Sequence, residues 1–122
     1  MNKKILIIED AKDLLMLYKT FLRGANCEII TASCATDALT LLETQTPDLI
    51  VMDLTFPDMT TIDFYEKISD KPELDAISKI LVSGRDDLAT WVDLFNADKG
   101  LRKPVMKDDF YKAVATSLQA TK

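Results

Sequence analysis

A chain of 122 residues that is 48% hydrophobic and 29% charged, with three Gly and four Pro, has the composition of an ordinary globular domain and excludes a disordered or fibrous protein. Its 15 basic against 20 acidic residues, a net charge of -5, argue against bulk attraction to phosphate backbones or anionic lipid, and so against direct nucleic-acid or membrane binding. No apolar run approaches the roughly 20 residues that span a bilayer, and Met1-Asn2-Lys3-Lys4 precedes too short an apolar run for a signal peptide; the expectation is one cytoplasmic domain over residues 1–122.

The first element is the β-branched run Ile5-Leu6-Ile7-Ile8, which ends on Glu9-Asp10. Leu14, Leu15, Leu17, Tyr18, Phe21 and Leu22 then recur at helical spacing, with Gly24 as the stop. A second strand over Glu28–Thr31 leads to a helix capped by Ser33 or Thr36, which carries Ala38, Leu39, Leu41 and Leu42 and ends before Pro47. The third strand, Leu49-Ile50-Val51-Met52, runs straight into Asp53, and Ile62, Phe64, Tyr65 and Ile68 mark a short third helix. Lys79-Ile80-Leu81-Val82 is the fourth strand, followed by Ser83-Gly84 and a helix carrying Leu88, Trp91, Val92, Leu94 and Phe95. A weak fifth strand around Lys99–Arg102 precedes Lys103-Pro104 and a last helix with Phe110, Tyr111, Val114 and Leu118.

Strands apolar on both faces suit a sheet covered by helices on both sides, and connections of this length suit crossovers rather than hairpins. The expected fold is therefore α/β, a doubly wound five-stranded parallel sheet between two helical layers. Cys27 and Cys34, with no His in the chain, make neither a metal site nor a disulfide framework. If Cys27 opens a strand that ends near Cys34, the two lie about 20 Å or more apart, and both read as free thiols. Met16, Met52, Met59 and Met106 read as core filler and Trp91 as buried.

In such sheets ligands sit at the carboxyl ends of the strands. There the topology gathers Glu9, Asp10 and Asp53 with the hydroxyl of Ser83 and the ammonium of Lys103. Three adjacent carboxylates repel one another, and one lysine offsets only part of that repulsion. Oxygen ligands of this kind suit Mg²⁺, which fills its remaining positions with water and phosphate oxygens. An ionised Asp53 is then a nucleophile toward phosphorus, with Lys103 holding the transferred oxygens and Ser83 hydrogen-bonding them. Asp10 alone would also read as a helix cap, and Asp58 reads as a loop residue rather than a ligand.

At these residues, over essentially the whole chain, the sequence resembles the receiver domain of two-component response regulators, a chemotaxis-type, flavodoxin-like (βα)5 fold. The resemblance implies that Glu9 and Asp10 are the acidic pair, Asp53 the phosphoacceptor, Ser83 the switch hydroxyl and Lys103 the lysine before a proline, with Pro57 four residues past the acceptor. It implies Mg²⁺ on Glu9, Asp10, Asp53 and the backbone carbonyl of Thr55. It also implies a phosphodonor that is a sensor histidine kinase or histidine phosphotransfer protein, and an unknown downstream protein on the face of the fourth helix, fifth strand and fifth helix. Self-phosphorylation and self-dephosphorylation are the implied activities, with no external substrate.

Receivers place Tyr or Phe three residues before the lysine, where this chain has Gly100, so the family's aromatic switch has no ring here. Thr60-Thr61 replaces an Asp-Gly, which makes a positive φ less comfortable in that loop. Asn96 stands where left-handed geometry is tolerated. The resemblance further implies that Thr55 and Arg85 tune hydrolysis of the acyl phosphate. These departures also allow a pseudo-receiver, a binding module without phosphorylation-dependent output. An Asp-nucleophile phosphatase would want a second acid where Thr55 sits.

Overall fold

The computed structural model describes residues 2–120. Five strands alternate with helices along the chain: β1 (Lys3–Ile8), α1 (Lys12–Phe21), β2 (Cys27–Ala32), α2 (Ala35–Thr44), β3 (Leu49–Asp53), α3 (Thr61–Ser69), α4 (Pro72–Asp75), β4 (Ser78–Ser83), α5 (Leu88–Phe95), β5 (Lys99–Arg102) and α6 (Lys107–Ala120). The strands form one parallel sheet in the order β2-β1-β3-β4-β5. The fold is the expected α/β three-layer sandwich, and the fourth and fifth helices read from periodicity are α5 and α6.

Alternation along each strand divides the core. Leu6, Ile8, Ile50, Met52 and Leu81 face one side with Ala38 and Leu42 of α2, Phe64 and Ile68 of α3 and Phe95 of α5. Ile5, Ile7, Leu49, Val51, Ile80 and Val82 face the other, against Tyr18 and Leu22 and against Phe110 and Val114 of α6. Tyr18 and Phe110 stack there with ring centroids 4.9 Å apart. The central strands are buried on both faces because both faces are roofed, which is why they read as unbroken apolar runs.

Several local expectations are corrected. The cap of α2 is neither Ser33 nor Thr36 but Cys34, whose Sγ accepts the Asp37 amide N–H at 3.4 Å. Thr60-Thr61 needs no positive φ: Thr60 is an extended N-cap that accepts the Asp63 N–H. Among the described non-glycine residues only Asn96, at φ 54°, is left-handed, and it closes α5. Met16 and Met106 are exposed at 70% and 64%, and only Met52 of the four is fully buried. Trp91 is half-buried, its ring against Tyr65 and Phe95.

The short helix α4 was not legible. Four residues are too few for periodicity, and what holds the turn is a side chain on the strand that follows: the Nζ of Lys79, on β4, donates to the carbonyls of Leu74, Asp75 and Ile77 at 3.1, 3.0 and 2.7 Å. Lys79 is thereby 1% exposed without an unpaired charge-bearing donor.

Candidate functional site

The strand order reverses between β1 and β3, which lie side by side with Ile8 opposite Met52. The next residue of each strand therefore emerges at the same edge. Glu9 follows β1, Asp53 ends β3, and a carboxylate oxygen from each of Glu9, Asp10 and Asp53 lies within 4.8 Å of the others. Asp10 is exposed and Glu9 almost wholly buried. Asp10 does not cap α1; that place is taken by Ala11, whose N–H donates to Glu9 Oε2 at 3.1 Å.

Lys103 arrives from the end of β5, where its amide N–H donates to the Ser83 carbonyl. Its Nζ donates to Asp53 Oδ2 at 2.8 Å and to Glu9 Oε1 at 3.3 Å. Burial pushes the Glu9 carboxyl above its ordinary range, with Asp53 adding to the rise and Ala11 and Lys103 opposing it. Burial also works against the Lys103 charge, but the hydrogen bond and charge of Asp53, with the charge of Glu9, outweigh it and leave the ammonium above its usual range. The other oxygen of Asp53, Oδ1, accepts the amide N–H groups of Leu54 and Thr55 at 2.6 and 3.3 Å. Asp53 is thus held by lysine on one side and by its own loop on the other.

Three hard oxygen donors on one side of an open edge fit a small divalent cation such as Mg²⁺, which keeps waters and substrate oxygens on its remaining positions. Thr55 is exposed beside Asp53. Ser83 is 1% exposed, one residue beyond Val82, the register partner of Asp53. Its Oγ accepts the Arg85 amide N–H at 3.0 Å, so it stands next to the acidic edge with its oxygen already engaged.

A model of the response regulator receiver domain matches residues 5–115. The chain belongs to that family. This receiver is 37% identical over 68 residues to the alkaline phosphatase synthesis transcriptional regulatory protein PhoP of Bacillus subtilis, a match that covers 56% of the chain and 28% of that protein. It is 25% identical to protein PilG of Pseudomonas aeruginosa over 91% of the chain and 84% of that protein. Among solved structures, a CheY-like response regulator receiver domain protein from Methanospirillum hungatei superposes with a TM-score of 0.84 at 27% identity, covering 98% and 95% of the two chains. No helix of the receiver, among the described residues, is long and apolar enough to cross a membrane.

Two features of this receiver lay outside the sequence reading. Asp58, beyond the acidic trio, accepts the amide N–H groups of Ala35 and Thr36 at 3.0 and 2.8 Å, which ties the loop after β3 to the start of α2. Hydrogen bonds from Thr36 and Ala35 hold its carboxyl down to about 2. Arg85 bridges Leu54 and Thr61 to Asp87. The Ala35 and Thr36 partners of Asp58, and the Leu54 and Thr61 partners of Arg85, lie more than 20 residues away and leave no local signal.

Proposed function

We propose that this receiver takes a phosphoryl group on Asp53 and uses it to alter a protein-binding surface. The observation that carries this is the placement of Asp53 Oδ2 2.8 Å from the Lys103 ammonium, beside Glu9 and Asp10 carboxylates that share one edge with it. In the transfer, a carboxylate oxygen of Asp53 attacks phosphorus, the P–N bond of a phosphohistidine breaks, and its electron pair returns to the imidazole. The donor is a partner histidine kinase or histidine phosphotransfer protein.

Lys103 balances the negative charge that accumulates at the phosphoryl oxygens. Ser83 uses its oxygen as an acceptor toward Arg85, which leaves its O–H free to donate to the incoming group. Glu9, Asp10 and Asp53, with the Thr55 carbonyl, would hold Mg²⁺, which would supply the rest of the charge neutralisation. Residues 1–122 act as one receiver domain, self-phosphorylating from a donor and self-dephosphorylating, with the downstream protein meeting α5, β5 and α6. The complete acidic trio and its lysine favour this over a pseudo-receiver.

Incubation with Mg²⁺ and acetyl phosphate, followed by intact-mass measurement, tests the reading. The native protein should gain one phosphoryl group and Asp53→Asn none. An unlabelled native protein, or equal labelling of the variant, would sink it.

A further inference from the structure

Beside Asp53, one side chain ties the loop after β3 to the first turn of α5. Arg85 Nη1 donates to Thr61 Oγ1 at 2.9 Å and to the Leu54 carbonyl at 3.4 Å, and Thr61 Oγ1 donates to that same carbonyl. Leu54 is bonded to Asp53, and its amide N–H contacts the Asp53 carboxylate. The opposite edge of the guanidinium, Nε and Nη2, meets the two oxygens of Asp87 at 3.0 and 2.7 Å. Asp87 is the N-cap of α5, and its Oδ2 also accepts Trp91 Nε1–H at 3.0 Å. A single cation therefore joins the peptide next to the acceptor to the acid that anchors the only tryptophan in the chain.

A ring moving between β5 and α5 has no room in this fold. A Cβ at Gly100 would lie 2.7 Å from Val92 Cγ2 and 3.3 Å from Leu88 Cγ, so α5 already fills the space that a larger residue would sweep. Any signal from Asp53 to α5 needs another carrier.

We propose that Arg85 is that carrier: a phosphoryl group on Asp53 draws its guanidinium away from Asp87, which leaves the Asp87 carboxylate to the Trp91 indole alone and resets the first turn of α5. The proposal rests on the phosphorylation of Asp53 set out above. The exchange is favourable in direction. The Arg85–Asp87 pair is 39% and 42% exposed, and such surface pairs are weak. A phosphoryl group brings more charge and three acceptor oxygens, which suit the planar guanidinium fork. This difference in affinity between the two states is what shifts a population. The backbone stays in place meanwhile, since the Arg85 N–H is held by Ser83 Oγ and its carbonyl by Arg102 Nη1 at 3.0 Å.

The test phosphorylates native and variant proteins with acetyl phosphate and Mg²⁺, takes the phosphorylated fraction from intact mass, and follows the Trp91 indole and the residue 87–95 amides by NMR. In the native protein the indole signal and these amides should shift. In Arg85→Ala the shift per phosphorylated molecule should be lost, and in Arg85→Lys, which keeps the charge without the fork, it should be reduced several-fold. In Asp87→Ala the indole should no longer respond to phosphorylation. A native-sized α5 response in phosphorylated Arg85→Ala would overturn the carrier while leaving the Asp53 chemistry standing. A native protein that takes no phosphoryl group would overturn both.

Discussion

Lys103 is the cation on which the acidic edge depends. Glu9 is buried and its carboxyl is raised, chiefly by that burial, so the folded state favours the protonated form and the cost of ionised Glu9 appears as pH rises through its folded value. Removing the lysine as Lys103→Met should therefore destabilise the protein by about 1–3 kcal/mol at neutral pH, with a smaller loss in acid, as measured by urea unfolding across pH. Asp58 works in the opposite sense. Its carboxyl is lowered from 3.8 to about 2, so its stabilising bonds to α2 are present above 3.8 and are lost as pH falls toward 2. Asp58→Ala should cost about 1 kcal/mol near neutrality, and the difference from the native protein should vanish over that acid window in thermal melts. The place of Asp53 was legible because an apolar strand stops there, and that of Lys103 because it precedes Pro104 just past the weak fifth strand, both local signals. Asp58 was not, because its partners lie 22 and 23 residues away and nothing near it in the chain announces them.

Among the elements, α5 lies close against β5, with Val92 and Leu88 over Gly100. Val92 is β-branched and stiff in a helix, so it cannot swing clear of a new Cβ at position 100. Gly100→Ala should cost about 1–3 kcal/mol in chemical denaturation, and Val92→Ala in the same chain should recover part of that loss. From sequence, Gly100 read only as a missing ring and a weak point in a strand; the structure shows it as the condition for close packing of the helix above it. Four strands were visible as apolar runs and the five longer helices in the period of their apolar residues, while β5, with Leu101 as its one large apolar residue, gave a weak signal. The turn α4 was hidden because its carbonyls are satisfied by Lys79, a charge that reads in sequence as the polar start of a strand.

For the molecule as a whole, the site belongs to the native state alone, since Glu9 and Asp53 are neighbours only when β1 lies beside β3. Mg²⁺ should accordingly stabilise the folded form by mass action, by about 2.7 kcal/mol at a hundredfold excess over its dissociation constant. Thermal melts with Mg²⁺ and with EDTA should show the difference, and Asp10→Asn should shrink it. The division of the core has its own consequence. The two buried clusters share no side chain, and a full layer of backbone lies between them. Substitutions under α1 and α6 should therefore add to, rather than couple with, those under α2, α3 and α5 in their effect on stability, so each flank can change with a cost that the other does not amplify.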